Sequence, residues 1–341
     1  MAFDQVALPG TQGQLWTSVN IGPDSKLYAT TVDGSIVRWT INSDGTLGAS
    51  QTITSIVDAE GDDRIITGLA FAPGSTASNL VAYVTHTDFN DVTTDQPDEL
   101  GVDFSGKITR LSGANLQTVQ DVVTGLPRSI RDHLTNQPSF GPDGRLYVPQ
   151  GANTAMGQPD AAWGFRNEHL LNAAILAVDV DAIGSGTVNV HTEDEDPYDP
   201  FADDAPVTIY ATGLRNAYDM AWHSNGRLYV PTNGSAAGGN TPQSPQPDSA
   251  EFGDDRIDLG ENGPFTGDFI PGLNNVPQTQ NDYLFRVVEG GYYGHPNPTR
   301  DEWVLNGGNP TSGVDSAEVS AYPTGTRPDR NYRGLDRKSV V

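Results

Sequence analysis

Three times along this chain of 341 residues, an apolar residue, a tight turn and a Leu-Tyr pair follow one another at the same spacing. The copies are Ile21-Gly22-Pro23-Asp24-Ser25-Lys26-Leu27-Tyr28, Phe140-Gly141-Pro142-Asp143-Gly144-Arg145-Leu146-Tyr147 and Trp222-His223-Ser224-Asn225-Gly226-Arg227-Leu228-Tyr229. A looser copy runs from Gly68 to Pro73 and resumes at Leu80 to Tyr83 after a longer turn. Pro fixes φ, and Gly or Asn accepts the positive φ that a tight hairpin needs, so each copy reads as two short strands joined by a turn. A further strand candidate follows each hairpin: Ser35 to Ile41, Lys107 to Leu111, Ala174 to Val180 and Tyr283 to Val288. A hairpin with outer strands, repeated around an axis, is a propeller blade, and the spacing is too loose for a solenoid. The expectation is an all-β chain forming a single β-propeller domain over residues 1–335. Repetition also suits a length beyond the usual size of one core. The 38 Gly and 24 Pro are spread along the whole chain, as many short strands require.

Only Asn167 to Ala174, around Glu168, His169, Leu170 and Leu171, has the pattern of a short helix. The acidic, Pro-rich stretches Thr192 to Pro206 and Asn240 to Asp254 read as long loops between strands, of the kind that decorate one face of a disc.

Charge removes one class of partner. Acidic residues outnumber basic ones 44 to 19, the net charge is −25, and the lysines are Lys26, Lys107 and Lys338 alone. Such a surface repels polyanions, so no nucleic acid is expected. The same excess suits a saline or extracellular setting. With no cysteine there is no disulfide, thiolate metal site or cysteine nucleophile. The residues from Met1 to Asp4 onward lack the basic and apolar regions of a secretory signal, and no stretch approaches the length of a membrane span.

His133, after Asp132, lies in a segment leading directly into the second hairpin, which places it near the axis. Arg215 and Asn216, within Thr212-Gly213-Leu214-Arg215-Asn216, occupy the equivalent place before the third. An arginine fork beside an amide suits a carboxylate-bearing or quinone ligand. With Glu289-Gly290-Gly291-Tyr292-Tyr293-Gly294-His295-Pro296, these segments resemble the glucose/sorbosone dehydrogenase family, propellers dependent on pyrroloquinoline quinone (PQQ). The resemblance covers about Gly61 to Tyr332. It implies a propeller of the six-bladed type, here incomplete with about five blades, holding PQQ and calcium and oxidising an aldose or related sugar or polyol. By position His133 matches the general base, Arg215 and Asn216 the cofactor contacts, and the carbonyls of Gly234 and Ser235, after Asn233, the calcium ligands. An external electron acceptor and a periplasmic or extracellular location are also implied.

The chain departs from the family at several places. Ser235 stands in place of a proline, Asp62-Asp63-Arg64-Ile65-Ile66 in place of a segment with a glutamine, and Gly151-Ala152-Asn153 where an acid orients the histidine. Without that acid His133 is expected to have a weaker partner and to be less basic. The family's later lysine and arginines would fall beyond residue 341. Asp336-Arg337-Lys338-Ser339-Val340-Val341 is what one reading frame of a sequencing adapter encodes, so residues 336–341 are expected to be a non-native tail on a truncated gene. The competing readings are a propeller that binds carbohydrate or protein without redox chemistry, and a calcium-dependent hydrolase of the lactonase kind.

Overall fold

The computed structural model describes residues 8–88, 103–244, 269–277, 279–307, 319–328, 332–333 and 338–339. Blade 1 is an antiparallel meander of β1 (Trp16–Ile21), β2 (Lys26–Thr31), β3 (Ile36–Ile41) and β4 (Leu47–Ile53). After the short helix α1 (Ser55–Glu60), blade 2 repeats the meander with β5 (Arg64–Phe71), β6 (Val81–Asp88), β7 (Gly106–Ser112) and β8 (Thr118–Leu126). Blade 3 begins with β9 (Ser139–Phe140), β10 (Leu146–Gln150) and β11 (Ala174–Val178). The chain then forms α2 (Val180–Ile183) and returns to blade 2 as β12 (Val188–Asn189), parallel to β8, before completing blade 3 as β13 (Val207–Thr212). Blade 4 has a broken inner strand, β14 (Asn216–Ala217) and β15 (Ala221–Trp222), against β16 (Leu228–Asn233). The hairpin β17 (Gly239–Thr241) and β18 (Leu273–Val276) stands apart, and β19 (Tyr283–Val287) and β20 (Lys338–Ser339) complete the sheet.

The all-β propeller arrangement is the one expected, and each of the four hairpins lies in its own blade. The number of blades is corrected: four are formed among the described residues, not about five of six. The difference arises after residue 283. The Tyr283 to Val288 strand is the third strand of blade 4, paired with β16, and the described residues beyond it make turns and isolated bridges, Thr212 to Tyr292 and Tyr292 to Tyr332, and no new meander. The helix expected over 167–174 is absent: the residues form turns, with Ala173 at φ 51°, and then enter β11. Residues 245–254 of the second acidic loop lie outside the described residues, as do 336, 337, 340 and 341 of the tail.

The repeat has a packing reason. In the first three blades the tyrosine that closes the repeat meets the aromatic residue that opens the next blade's hairpin. Tyr28 packs edge-on against Phe71 with ring centroids 4.9 Å apart, Tyr83 against Phe140 at 5.5 Å and Tyr147 against Trp222 at 5.0 Å. Such pairs contribute about 0.5–1.5 kcal/mol beyond their buried area. The phenol oxygens of Tyr28 and Tyr147 donate to Asp24 and Asp143 in their own turns, so the same motif closes the hairpin and joins the blades. Near the axis the Gln137 amide donates to Leu69 O (2.9 Å) and accepts from Leu69 N and Ser18 Oγ, tying blade 3 to blades 2 and 1. An axial cavity of about 690 Å³ is walled by β1, the end of β5, residues 137–140 and residues 218–220. Among the described residues no helix is long and apolar enough to cross a membrane.

Candidate functional site

The His133 loop leads into residues 137–140 and the Arg215 loop through β14 into residues 218–220, which line the axial cavity, although neither His133 nor Arg215 lines it. They meet through the segment after β10. Ala152 N donates to Arg215 O (2.7 Å), and Ala152 O lies 3.0 Å from His133 Nδ1. A carbonyl only accepts, so Nδ1 carries the proton and Nε2 keeps the lone pair. The loop is pinned by Ser129, whose Oγ accepts from His133 N (3.1 Å) and whose N donates to His133 O (3.0 Å). Gly151 permits the approach, since a Cβ there would fall 2.7 Å from that of His133. Burial, then the Arg215 charge, pushes the His133 pKa well below 6.5 and keeps the ring neutral. The partner where the family places an acid is thus a main-chain oxygen.

Trp163 joins the two side chains. Its ring packs on His133 at 4.1 Å between centroids, and the Arg215 guanidinium lies 5.4 Å from its centroid. Asp160 fixes the tryptophan by accepting from Ala162 N and Trp163 N. Arg215 donates from Nε to Ala155 O and from Nη1 to Gly234 O, both 3.0 Å, while among the described residues its Nη2 has no acceptor. Burial lowers its pKa to about 10, so it is cationic at neutral pH. Asn216 is not free in the same way: Oδ1 accepts from Asn136 (2.9 Å) and Nδ2 donates to Asn233 Oδ1 (3.0 Å).

Gly234 and Ser235 follow β16 beside Arg215. The Gly234 carbonyl accepts from Arg215 and the Ser235 carbonyl from Gln280 N (2.9 Å). Asp282 accepts from Gly234 N (3.1 Å), and the Ser235 hydroxyl bonds Gln280 Oε1 (2.6 Å). The donors are all oxygens, the chemistry that calcium takes, and each carbonyl retains a second lone pair. The Arg215 charge faces the same oxygens and Asp282 offsets it. A different acidic group, Glu60, His86 and Asp121 in blade 2, has the spacing of metal ligands, but the Lys107 ammonium bonds Glu60 at 2.7 Å and Asp121 at 3.0 Å and is its cation. Asp62 and Asp63 lie at the surface before Arg64, whose side chain turns into blade 2 toward His86 and Ser105 O.

Sequence reasoning missed a buried pair beneath this site. The 289–296 segment docks on the Arg215 loop: His295 N donates to Gly213 O (2.9 Å) and Tyr293 N to Thr212 O (2.9 Å). Gly213, at φ 76°, leaves room for the Tyr292 ring. His295 Nε2 then lies 2.9 Å from Glu168 Oε1. Glu168 also accepts from Asn153 N, Thr154 N and Thr154 Oγ1, so a buried acid does enter the 151–154 segment, facing His295 instead of His133. Burial alone would raise the Glu168 pKa, but His295 and these donors outweigh it and hold it below 4.5.

No family model matches the chain and no curated protein matches it. Among solved structures, the calcium structure of a Trichoderma reesei protein of carbohydrate-active enzyme family AA12 is similar at TM-score 0.51 and 16% identity, over 96% of this chain and 68% of that one. The fold is the same propeller. The PQQ-bound aldose sugar dehydrogenase of Streptomyces coelicolor matches at TM-score 0.47 and 18% identity, over 85% of this chain and 65% of its own. The holo PQQ domain of the Coprinopsis cinerea pyranose dehydrogenase matches at 0.48 and 11%, over 92% and 60%. The chain therefore spans less than two thirds of the length of these two proteins.

Proposed function

We propose that this chain carries the cofactor-facing side of a PQQ-dependent dehydrogenase acting on an aldose or related sugar. The observation that supports it most is His133: buried, neutral, tautomer set by Ala152 O, with the Nε2 lone pair unclaimed among the described residues. PQQ, when bound, supplies the two-electron acceptor for the sugar C–H bond. Arg215 Nη2 would hold the quinone oxygens or a carboxylate of the cofactor, and Trp163 fixes both Arg215 and His133 in place. His133 Nε2 takes the proton of the reacting hydroxyl, a role that needs the imidazole neutral at working pH. Calcium would be held by the second lone pairs of the Gly234 and Ser235 carbonyls with Asp282 balancing charge. Asn216 acts in this reading by holding the loop, because both ends of its amide are engaged. The resemblance further favours an external electron acceptor and a site outside the cytoplasm.

The test is PQQ titration followed by Trp fluorescence, then dye reduction with a panel of aldoses in the presence of calcium. His133→Asn is expected to keep PQQ binding and lose about 10²-fold or more in turnover. Full turnover by that variant removes the base. No PQQ uptake by the wild type favours instead a propeller that binds carbohydrate without redox chemistry, the reading that the engaged Asn216 amide supports.

A further inference from the structure

The side of His295 that does not face Glu168 presents a buried nitrogen with nothing to bond. Nε2 faces a carboxylate and carries the proton, so Nδ1 is a bare acceptor, and it has no hydrogen-bond partner. His295 is 2% exposed. It lines a small cavity between the 213–215 loop, β16 and residues 305–306. Thr232, also 2% exposed, lines the same cavity from β16, and its hydroxyl is likewise unpartnered. Two orphaned buried polar groups on one cavity are not a coincidence to leave unexplained, since each would cost about 1–3 kcal/mol if truly unsatisfied. The cavity measures about 10 Å³, enough to hold a water. Arg215, Gly234 and Ser235 complete its wall, so it adjoins the candidate cofactor and calcium groups.

We propose that this cavity is a binding site for a single water molecule, which donates to His295 Nδ1 and exchanges a hydrogen bond with the Thr232 hydroxyl. A water is the ligand class that fits: the cavity is small, and an acceptor nitrogen and a hydroxyl on one lining offer the two polar partners that a buried water needs. The orphaned atoms are one imidazole nitrogen and one hydroxyl, too few and too weak a donor set for a hard cation, which takes six or more oxygens. The site joins the Glu168–His295 pair to β16, and it exists whether or not His133 is a catalytic base.

The sign of a stability change tests it. Thr232→Val is isosteric and replaces the hydroxyl by a methyl group. With water bound, the variant breaks a buried hydrogen bond, and its melting temperature falls by about 1–3 °C. With a dry cavity, the same change removes an unsatisfied group and leaves the melting temperature unchanged or raised, which overturns the proposal. A crystal structure at high resolution reads the site directly: a solvent peak is expected within hydrogen-bond distance of both His295 Nδ1 and Thr232 Oγ1, retained in Thr232→Ser and lost in Thr232→Val. An empty cavity in the wild type, or side chains reoriented onto protein partners, overturns it as well.

Discussion

Glu168 gives a sharp test of how the site is held together. Its side chain is fully buried and accepts four hydrogen bonds, from Asn153 N, Thr154 N, Thr154 Oγ1 and His295 Nε2. Glu168→Gln keeps the shape and one oxygen. That oxygen can serve the three donors on the Oε1 side, which turns the new NH₂ toward Asn153 N–H, donor against donor. One such conflict costs about 2 kcal/mol, and Glu168→Ala, which strands all four donors, about 4 kcal/mol. At about 2 cal/mol/K of unfolding entropy per residue, a chain of 341 residues loses about 1.4 °C per kcal/mol. Calorimetry at pH 7 should therefore give losses of about 3 °C and about 6 °C. The pH dependence adds a second readout. The folded pKa of Glu168 is depressed below 4.5, so its contribution is present above about 4.5 and lost as pH falls through the lower folded value. The folded pKa of His295 is also lowered, chiefly by burial, so the unfolded chain binds that proton first and stability falls as pH drops below 6.5. Glu168→Gln should flatten the more acidic of these two losses. A variant that melts like the wild type at pH 7 and at pH 4 would refute the buried pair.

Two further outcomes follow from the histidines. The acid limb of kcat/KM in a sugar oxidation assay should lie below pH 6.5, because burial and Arg215 depress the His133 pKa; a limb above 6.5 would assign the base elsewhere. His169 is opposite in sign: although burial lowers it, Asp103, bonded at 2.8 Å, and Glu193 outweigh that and raise its pKa. Its stabilisation is full below pH 6.5 and is lost as pH rises through the folded value, so His169→Gln should lose melting temperature at pH 5.5 but much less at pH 9, as checked by thermal melts at both.

The blades were legible because their signal is local and repeated. Gly22-Pro23-Asp24 and Gly141-Pro142-Asp143 encode the turns, and Tyr28, Tyr83 and Tyr147 with Phe71, Phe140 and Trp222 encode the seams. No further blade is formed among the described residues, and the sequence did not reveal this because Tyr283 to Val287 has the composition of any blade strand; only its partner, β16, shows that it finishes an existing one. The apolar spacing around Leu170 and Leu171 mimicked a helix, while Glu168 and His169 were committed to Thr154, His295, Asp103 and Glu193 across the fold. The equivalent positions of the His133 and Arg215 loops before their hairpins were legible. The link between them through the Ala152 main chain was not, because any residue type offers those atoms. Nothing in the spacing of residues 168 and 295 could pair them.

The tyrosine seams have a consequence for how the molecule comes apart. Each ring joins its own blade to the adjoining repeat, so cohesion spreads from neighbour to neighbour, as in a row of coupled units. A lesion at Tyr83 should loosen blades 2 and 3 while leaving the Tyr147 clasp intact, and the β12 strap, which sews residues 188–189 back onto β8, would then hold them together with the Gln137 bonds to Leu69.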